Sequence, residues 1–155
     1  MWQPVLMING YLISVLGLAM LIPAAVDMLE TGRNWSLFVT SSIVSLFIGL
    51  SLFLGNRTKI EKITLQQGYL LTAVSWVSLT LLATLPFILS DVTPGFANAL
   101  FEAMSGLSTT GATVITDLEV LPDSILLWRS MLNGLGGVGI VIFAVALLPF
   151  LGIGG

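Results

Sequence analysis

Four apolar runs, at 5–26, 35–54, 68–89 and 125–150, leave this chain few folds to choose from. A helix needs about 20 mostly apolar residues to cross a bilayer core, and each run has that size. Only 8% of the 155 residues are charged, against roughly a quarter in soluble domains, so the chain lacks the polar surface to cover a globule in water. The expected fold class is therefore an all-α membrane protein. Asn9, Ser14, Pro23 and Pro86 are the main interruptions of the first and third runs. The stretch 93–107 is largely apolar but too short to span, which reads as a buried or re-entrant segment.

The same composition removes whole classes of function. Without cysteine or histidine there are no disulfides, no thiolate or imidazole metal sites, and no Ser-His or Cys-His catalysis. Gly106-Leu107-Ser108-Thr109 matches only part of a G-x-S-G protease signature and has no histidine base beside it, so the expectation is not an enzyme and no cofactor. A net charge of -3 with five basic residues argues against a nucleic-acid partner. The N-terminus, MWQPVLMING, has neither a basic n-region nor a small-residue cleavage site, so the first run is expected to be a retained span.

Arg57, Lys59 and Lys62 cluster after the second run, which the positive-inside rule assigns to the cytoplasm. The N-terminus is then cytoplasmic, and the 27–34 loop with Asp27, Glu30 and Arg33 faces outward. The stretch 90–124 begins and ends on the outer side and carries Asp91, Asp117, Glu119 and Asp123. Those acids read either as a solvated loop or as a vestibule whose negative potential gathers cations.

Within that stretch, TPGFANALFEAMSGL has the spacing of a helix: Phe96, Leu100, Phe101, Met104 and Leu107 recur on one face. Thr93 is expected as N-cap, Pro94 at the first helical position and Gly106 at the stop. A helix of that size is roughly 20 Å long, so it ends partway down the bilayer. SGLSTTGATVIT, residues 105–116, then carries no charge at all. It reads either as a solvated turn between helices or as a re-entrant return, where non-helical backbone survives only if buried in protein or lining a water-filled path. The half-length helix ahead of it and the full spans on both sides favour the return. Glycine at 111 permits backbone that turns neighbouring carbonyls one way, and carbonyl rings can replace the hydration shell of a monovalent cation.

Other residues keep two readings. Arg129 either snorkels to the interface beside Trp128, as an aromatic-belt residue, or braces the half-helix by pairing with Glu102. Glu102, an acid inside an apolar helix, is a functional candidate, with structural pairing favoured over ion contact. Gly134, Gly136, Gly137 and Gly139 allow either close helix approach or a hinge that widens the pore. Close packing beneath the half-helix, through Gly134 and Gly137, is the choice made. Asn9 and Asn133 are expected to find neighbouring partners.

FEAMSGLSTTGAT followed by LLWRSMLNGLGGVGIVIFAVALLPFLGIGG resembles the first pore-loop repeat of the TrkH/KtrB/HKT superfamily of potassium transporters, in particular its bacterial TrkH branch. The resemblance implies an N-terminal helix pair with a basic cytoplasmic loop over 1–66. A span–pore helix–filter loop–span unit, similar to a potassium-channel subunit, would follow over 67–155. Within it the span covers about 68–89, the pore helix about 94–107, the filter 108–113 and the second span about 125–150. The family pattern implies potassium at the carbonyls of Thr109, Thr110 and Gly111, with Ala112 completing the filter and Thr113, Glu102 and Arg129 supporting it. Glycine at 111 leans towards potassium, since plant relatives with serine there prefer sodium. The implied function is potassium transport, with a non-conducting membrane scaffold or a sodium-transporting relative as alternatives. The implied partners are the remaining pore repeats, a second copy in a homodimer, a cytoplasmic nucleotide-binding regulator of TrkA type and the lipid of a bacterial inner membrane. One repeat is present where the pattern needs four. The expectation is therefore either the N-terminal part of a longer protein, which the ending GIGG favours, or four copies assembled.

Overall fold

The computed structural model describes residues 2–30, 32–60 and 62–147. The last residues of the fourth expected span, 148–150, and the glycine-rich stretch 151–155 lie outside them. The described residues form α1 (Trp2–Ala19), α2 (Leu21–Glu30), α3 (Trp35–Gly55), α4 (Leu65–Ala83), α5 (Leu85–Leu89), α6 (Gly95–Leu107) and α7 (Asp123–Leu147), with a 3-10 turn at Leu118–Val120. Among the described residues, four assemblies are long and apolar enough to cross a membrane: Trp2–Glu30, Trp35–Gly55, Leu65–Leu89 and Asp123–Val145. The all-helical membrane architecture is as the sequence led us to expect.

Local chemistry explains where these helices break. Met20 interrupts the first span three residues before Pro23, whose missing N–H and bulky ring disturb the preceding turn. Pro86 does the same to the third span, separating α4 from α5. The Phe87 N–H turns to Thr84 O at 3.1 Å, and the Ala83 carbonyl instead accepts from the Trp128 indole N–H at 3.2 Å. A backbone carbonyl that lipid could not satisfy is thus met from α7. Trp128 is consequently fully buried, not the aromatic-belt residue expected. At the start of α4, Thr64 and Gln67 form a reciprocal cap, with Gln67 N to Thr64 Oγ1 at 3.3 Å and Thr64 N to Gln67 Oε1 at 3.0 Å.

One core joins the elements. Leu16, Met20, Ala24, Phe38, Ala83, Phe87, Ala99, Ala103, Leu107, Ile125, Trp128 and Leu132 pack together. The Phe38 ring meets Trp128 edge-on, with centroids 6.4 Å apart and planes at 73°. α1 and α3 approach along small residues, so close that a side-chain carbon on Gly10 would lie 2.6 Å from Gly49 O. The Ser42 hydroxyl crosses this seam to Gly17 O at 2.6 Å. Asn9 is buried and accepts from the Ser78 hydroxyl at 2.9 Å, which ties α1 to α4.

Three local expectations need correction. Thr93 does not cap α6: the helix starts at Gly95 with Pro94 in the cap position, and the buried Thr93 hydroxyl has no partner among the described residues. Gly106 does not stop the helix; it lies within the last turn, where an added Cβ would sit 2.8 Å from Leu132 Cβ. Asp27 does not belong to a 27–34 loop. It lies in α2, only 2% exposed, because α3 and α7 both bring hydrogen-bond donors to it.

Candidate re-entrant loop

α6 ends short because its own chain folds back over it. Thr109, at φ +58°, turns left-handed directly after the Ser108 cap. Thr109 N bonds to Gly106 O at 2.9 Å, while Thr110 N and Gly111 N both reach Ser105 O, at 3.0 and 3.3 Å. These are the paired closing bonds of a left-handed helix stop, made here with threonine where glycine is usual. Gly111 is left-handed too, at φ +74°, and a Cβ there would meet open space. From 110 to 115 the backbone is neither helix nor turn, and Thr109 to Val114 are exposed.

The amide N–H groups of Thr109, Thr110 and Gly111 are therefore turned back onto the half-helix, while the carbonyls of the same three residues accept no hydrogen bond among the described residues. The Ala112 carbonyl differs, since it accepts from the Ser105 hydroxyl at 2.5 Å. Of the four carbonyls expected to form a filter, three are uncommitted and one is partly occupied by its own scaffold. Oxygens of this kind, held by a rigid frame, are suited to substitute for water around a monovalent cation.

The far arm of the loop is held by a carboxylate. Glu102, 2% exposed, accepts at Oε1 from Thr113 Oγ1 (2.5 Å) and from Val114 N (2.7 Å). Its Oε2 faces Arg129 Nε of α7 at 3.0 Å. Arg129 thus braces the half-helix and does not snorkel, its side chain being 18% exposed. Glu102 and Ser105 are three residues apart, so they share one face of α6 and grip the loop at two heights. Ser105 escaped the sequence reading. A serine and a glutamate at that spacing on an otherwise apolar half-helix was the available signal.

α7 closes on this frame at Gly136, where any Cβ would overlap the Leu107 carbonyl oxygen. Gly134, chosen from sequence as a packing residue, faces open space within the chain, and a carbon on Gly137 would sit at an ordinary 3.7 Å from Thr109 Cγ2. The close approach therefore belongs to Gly136. Among the described residues, Asn133 bonds only to its own helix, at Arg129 O, 3.3 Å away.

Full-length apolar helices with a half-helix and exposed return loop inserted before the last of them define a multi-pass helical membrane protein built around a pore-loop unit. The family model described as TrkH, cation transport protein, matches residues 35–155. The Trk system potassium uptake protein TrkH of Halomonas elongata is 39% identical over 152 residues, 97% of this chain and 32% of that protein. The protein of that name from Escherichia coli K12 is 38% identical over 150 residues, 96% of this chain and 31% of its own length. The crystal structure of the potassium transporter TrkH from Vibrio parahaemolyticus matches with a TM-score of 0.93 at 38% identity, over 100% of this chain and 33% of that one. The chain belongs to the TrkH family of cation transport proteins. It spans about a third of the length of the curated relatives it matches.

Proposed function

We propose that this chain supplies one wall of a potassium pathway, in which the carbonyls of Thr109, Thr110 and Gly111 replace water around the passing ion. The observation that carries this reading is the left-handed pair Thr109 and Gly111 at the end of a half-length helix, in exposed backbone where the N–H groups of Thr109, Thr110 and Gly111 are already used and their carbonyls are not. Ala112 contributes from the edge of the site. Glu102, Thr113 and Arg129 hold the loop open, so that the oxygens need not reorganise as the ion arrives. The relatives named as potassium uptake proteins support potassium as the ion. Transport then needs no covalent step: the ion exchanges hydration for carbonyl contact and moves down its electrochemical gradient.

One loop lines one side of a path. The other walls come from further pore-loop units, in a longer chain or in other copies, and the complete assembly forms a homodimer with a nucleotide-binding regulator of TrkA type beneath it. The site of action is the bacterial inner membrane, with the N-terminus and the Arg57–Lys62 loop in the cytoplasm.

The test is Gly111→Ser, with Gly111→Asp beside it, introduced into the cell that makes the protein. Space for the side chain exists, but left-handed backbone costs a non-glycine residue about 1–2 kcal/mol, so the carbonyls shift. Potassium uptake should fall and discrimination against sodium should weaken. Normal uptake of potassium with unchanged discrimination would instead favour a scaffold in which this loop merely packs.

A further inference from the structure

The unit of span, half-helix, loop and span does not by itself call for α1 to α3, yet its last helix is anchored on them. We propose that Asp27, in α2, is a positioning residue for the ion pathway, acting on the loop through α7. This rests on the pathway reading given above.

A carboxylate this deeply buried is costly unless every oxygen is engaged, and Asp27 divides its oxygens between two helices. Oδ2 accepts from Asn34 N at 2.7 Å and Trp35 N at 2.9 Å, at the start of α3. Oδ1 accepts from the hydroxyl of Ser124 at 3.1 Å, at the start of α7. Both helix starts carry partial positive charge, and α3 offers backbone N–H groups where α7 offers the Ser124 hydroxyl, so a carboxylate stabilises them together and fixes their separation. One turn further in, Phe38 of α3 packs edge-on against Trp128 of α7. The next residue is Arg129, which holds Glu102, and Glu102 holds Thr113 and Val114. From Ser124 to Arg129 is about 7.5 Å of helix, a lever with no loose joint. Displacing the first turn of α7 therefore moves the guanidinium that sets the Glu102 clamp.

The experiment uses the complete protein in its own host, comparing potassium with sodium uptake at matched abundance in the membrane. Ser124→Ala cuts only the α7 arm of the junction, and Asp27→Ala cuts both arms. Each should lower the potassium-to-sodium ratio by roughly two- to thirtyfold, the range of couplings carried through packed networks. Asp27→Asn keeps an acceptor for Asn34 and Trp35 and can donate to the Ser124 hydroxyl, so it should restore most of the ratio. In an Arg129→Gln background, Ser124→Ala should add nothing, because the link is already broken. An unchanged ratio in Ser124→Ala, or an effect fully additive with Arg129→Gln, would overturn the proposal. Should Asp27→Ala fail to reach the membrane, Ser124→Ala, which removes one hydroxyl, decides alone. Gly111→Ser run in parallel separates two failures. If it shifts the ratio and Ser124→Ala does not, only the Asp27 inference falls. If neither does, the pathway reading falls with it.

Discussion

At Thr109 a β-branched side chain sits at φ +58°, a conformation that costs such a residue about 1–2 kcal/mol. What sustains it is the set of hydrogen bonds that reuse the end of α6, above all the two N–H groups on Ser105 O and the Ser105 hydroxyl on Ala112 O. The sequence made Gly111 legible, because glycine between Thr110 and Ala112 in a non-helical return permits positive φ. It hid Thr109, because the usual sign of a left-handed stop is glycine just past the helix. The glycine present there, Gly106, serves packing against Leu132 instead. The other arm of the loop depends on the charge of Glu102. In Glu102→Gln the amide oxygen can still receive Val114 N–H, but its NH2 group then faces the donor Arg129. Hydrogen bonds to charged groups contribute about 1.5–3 kcal/mol, so the variant should lose stability of that order. Hydrogen exchange should report it locally, with the Val114 amide exchanging faster than in the parent while the α1–α3 seam is unaffected. Equal protection at Val114 in both proteins would remove Glu102 from its role as the clamp.

The spans were legible as elements because length and hydropathy alone decide whether a helix can cross a bilayer. Their packing faces were not. Lipid tails are as apolar as a protein core, so a membrane helix need not segregate its side chains into a polar and an apolar face. Rotation about its own axis therefore leaves little trace in hydropathy. That is why Trp128 read as an interfacial residue when it is buried, and why Gly134 read as a contact when it is open. Small residues carry the only clue, and a run such as NGLGGVGI places them on several faces at once. The structure resolves the choice and turns it into a paired test on α7. Gly136→Ala puts a methyl into the Leu107 carbonyl; α7 must then move off α6, and overpacking of this kind costs about 1–3 kcal/mol or more. Gly134→Ala meets nothing within the chain, and glycine in a helix is less favourable than alanine by about 1 kcal/mol. Melting of the detergent-solubilised protein should fall for the first substitution and hold or rise for the second. A fall for Gly134→Ala in the complete assembly alone would mark that face as a contact with another pore unit.

The chain as a whole holds its loop rigidly from behind and leaves it uncovered in front. Behind it stand α6, the Glu102–Arg129 pair and a core shared by residues of the N-terminal helices and the pore-loop unit; in front, Thr109 to Val114 are exposed. Backbone groups in that condition cannot face lipid, where each unsatisfied one costs several kcal/mol, so they face either water and ions or another part of an assembly. A pathway needs a wall on every side, because a cation that has left its hydration shell must find oxygens all around it. A single copy offers them from one side only. The purified 155-residue chain, reconstituted as a monomer in vesicles under a potassium diffusion potential, should therefore carry no selective potassium flux. Flux should appear only in preparations whose size shows several pore-loop units joined, whether as four copies of this chain or with the missing units supplied by another chain. Selective conduction by the monomer would mean that the exposed face of residues 109–114 is not the lining of the path, and the ion would have to be crossing elsewhere.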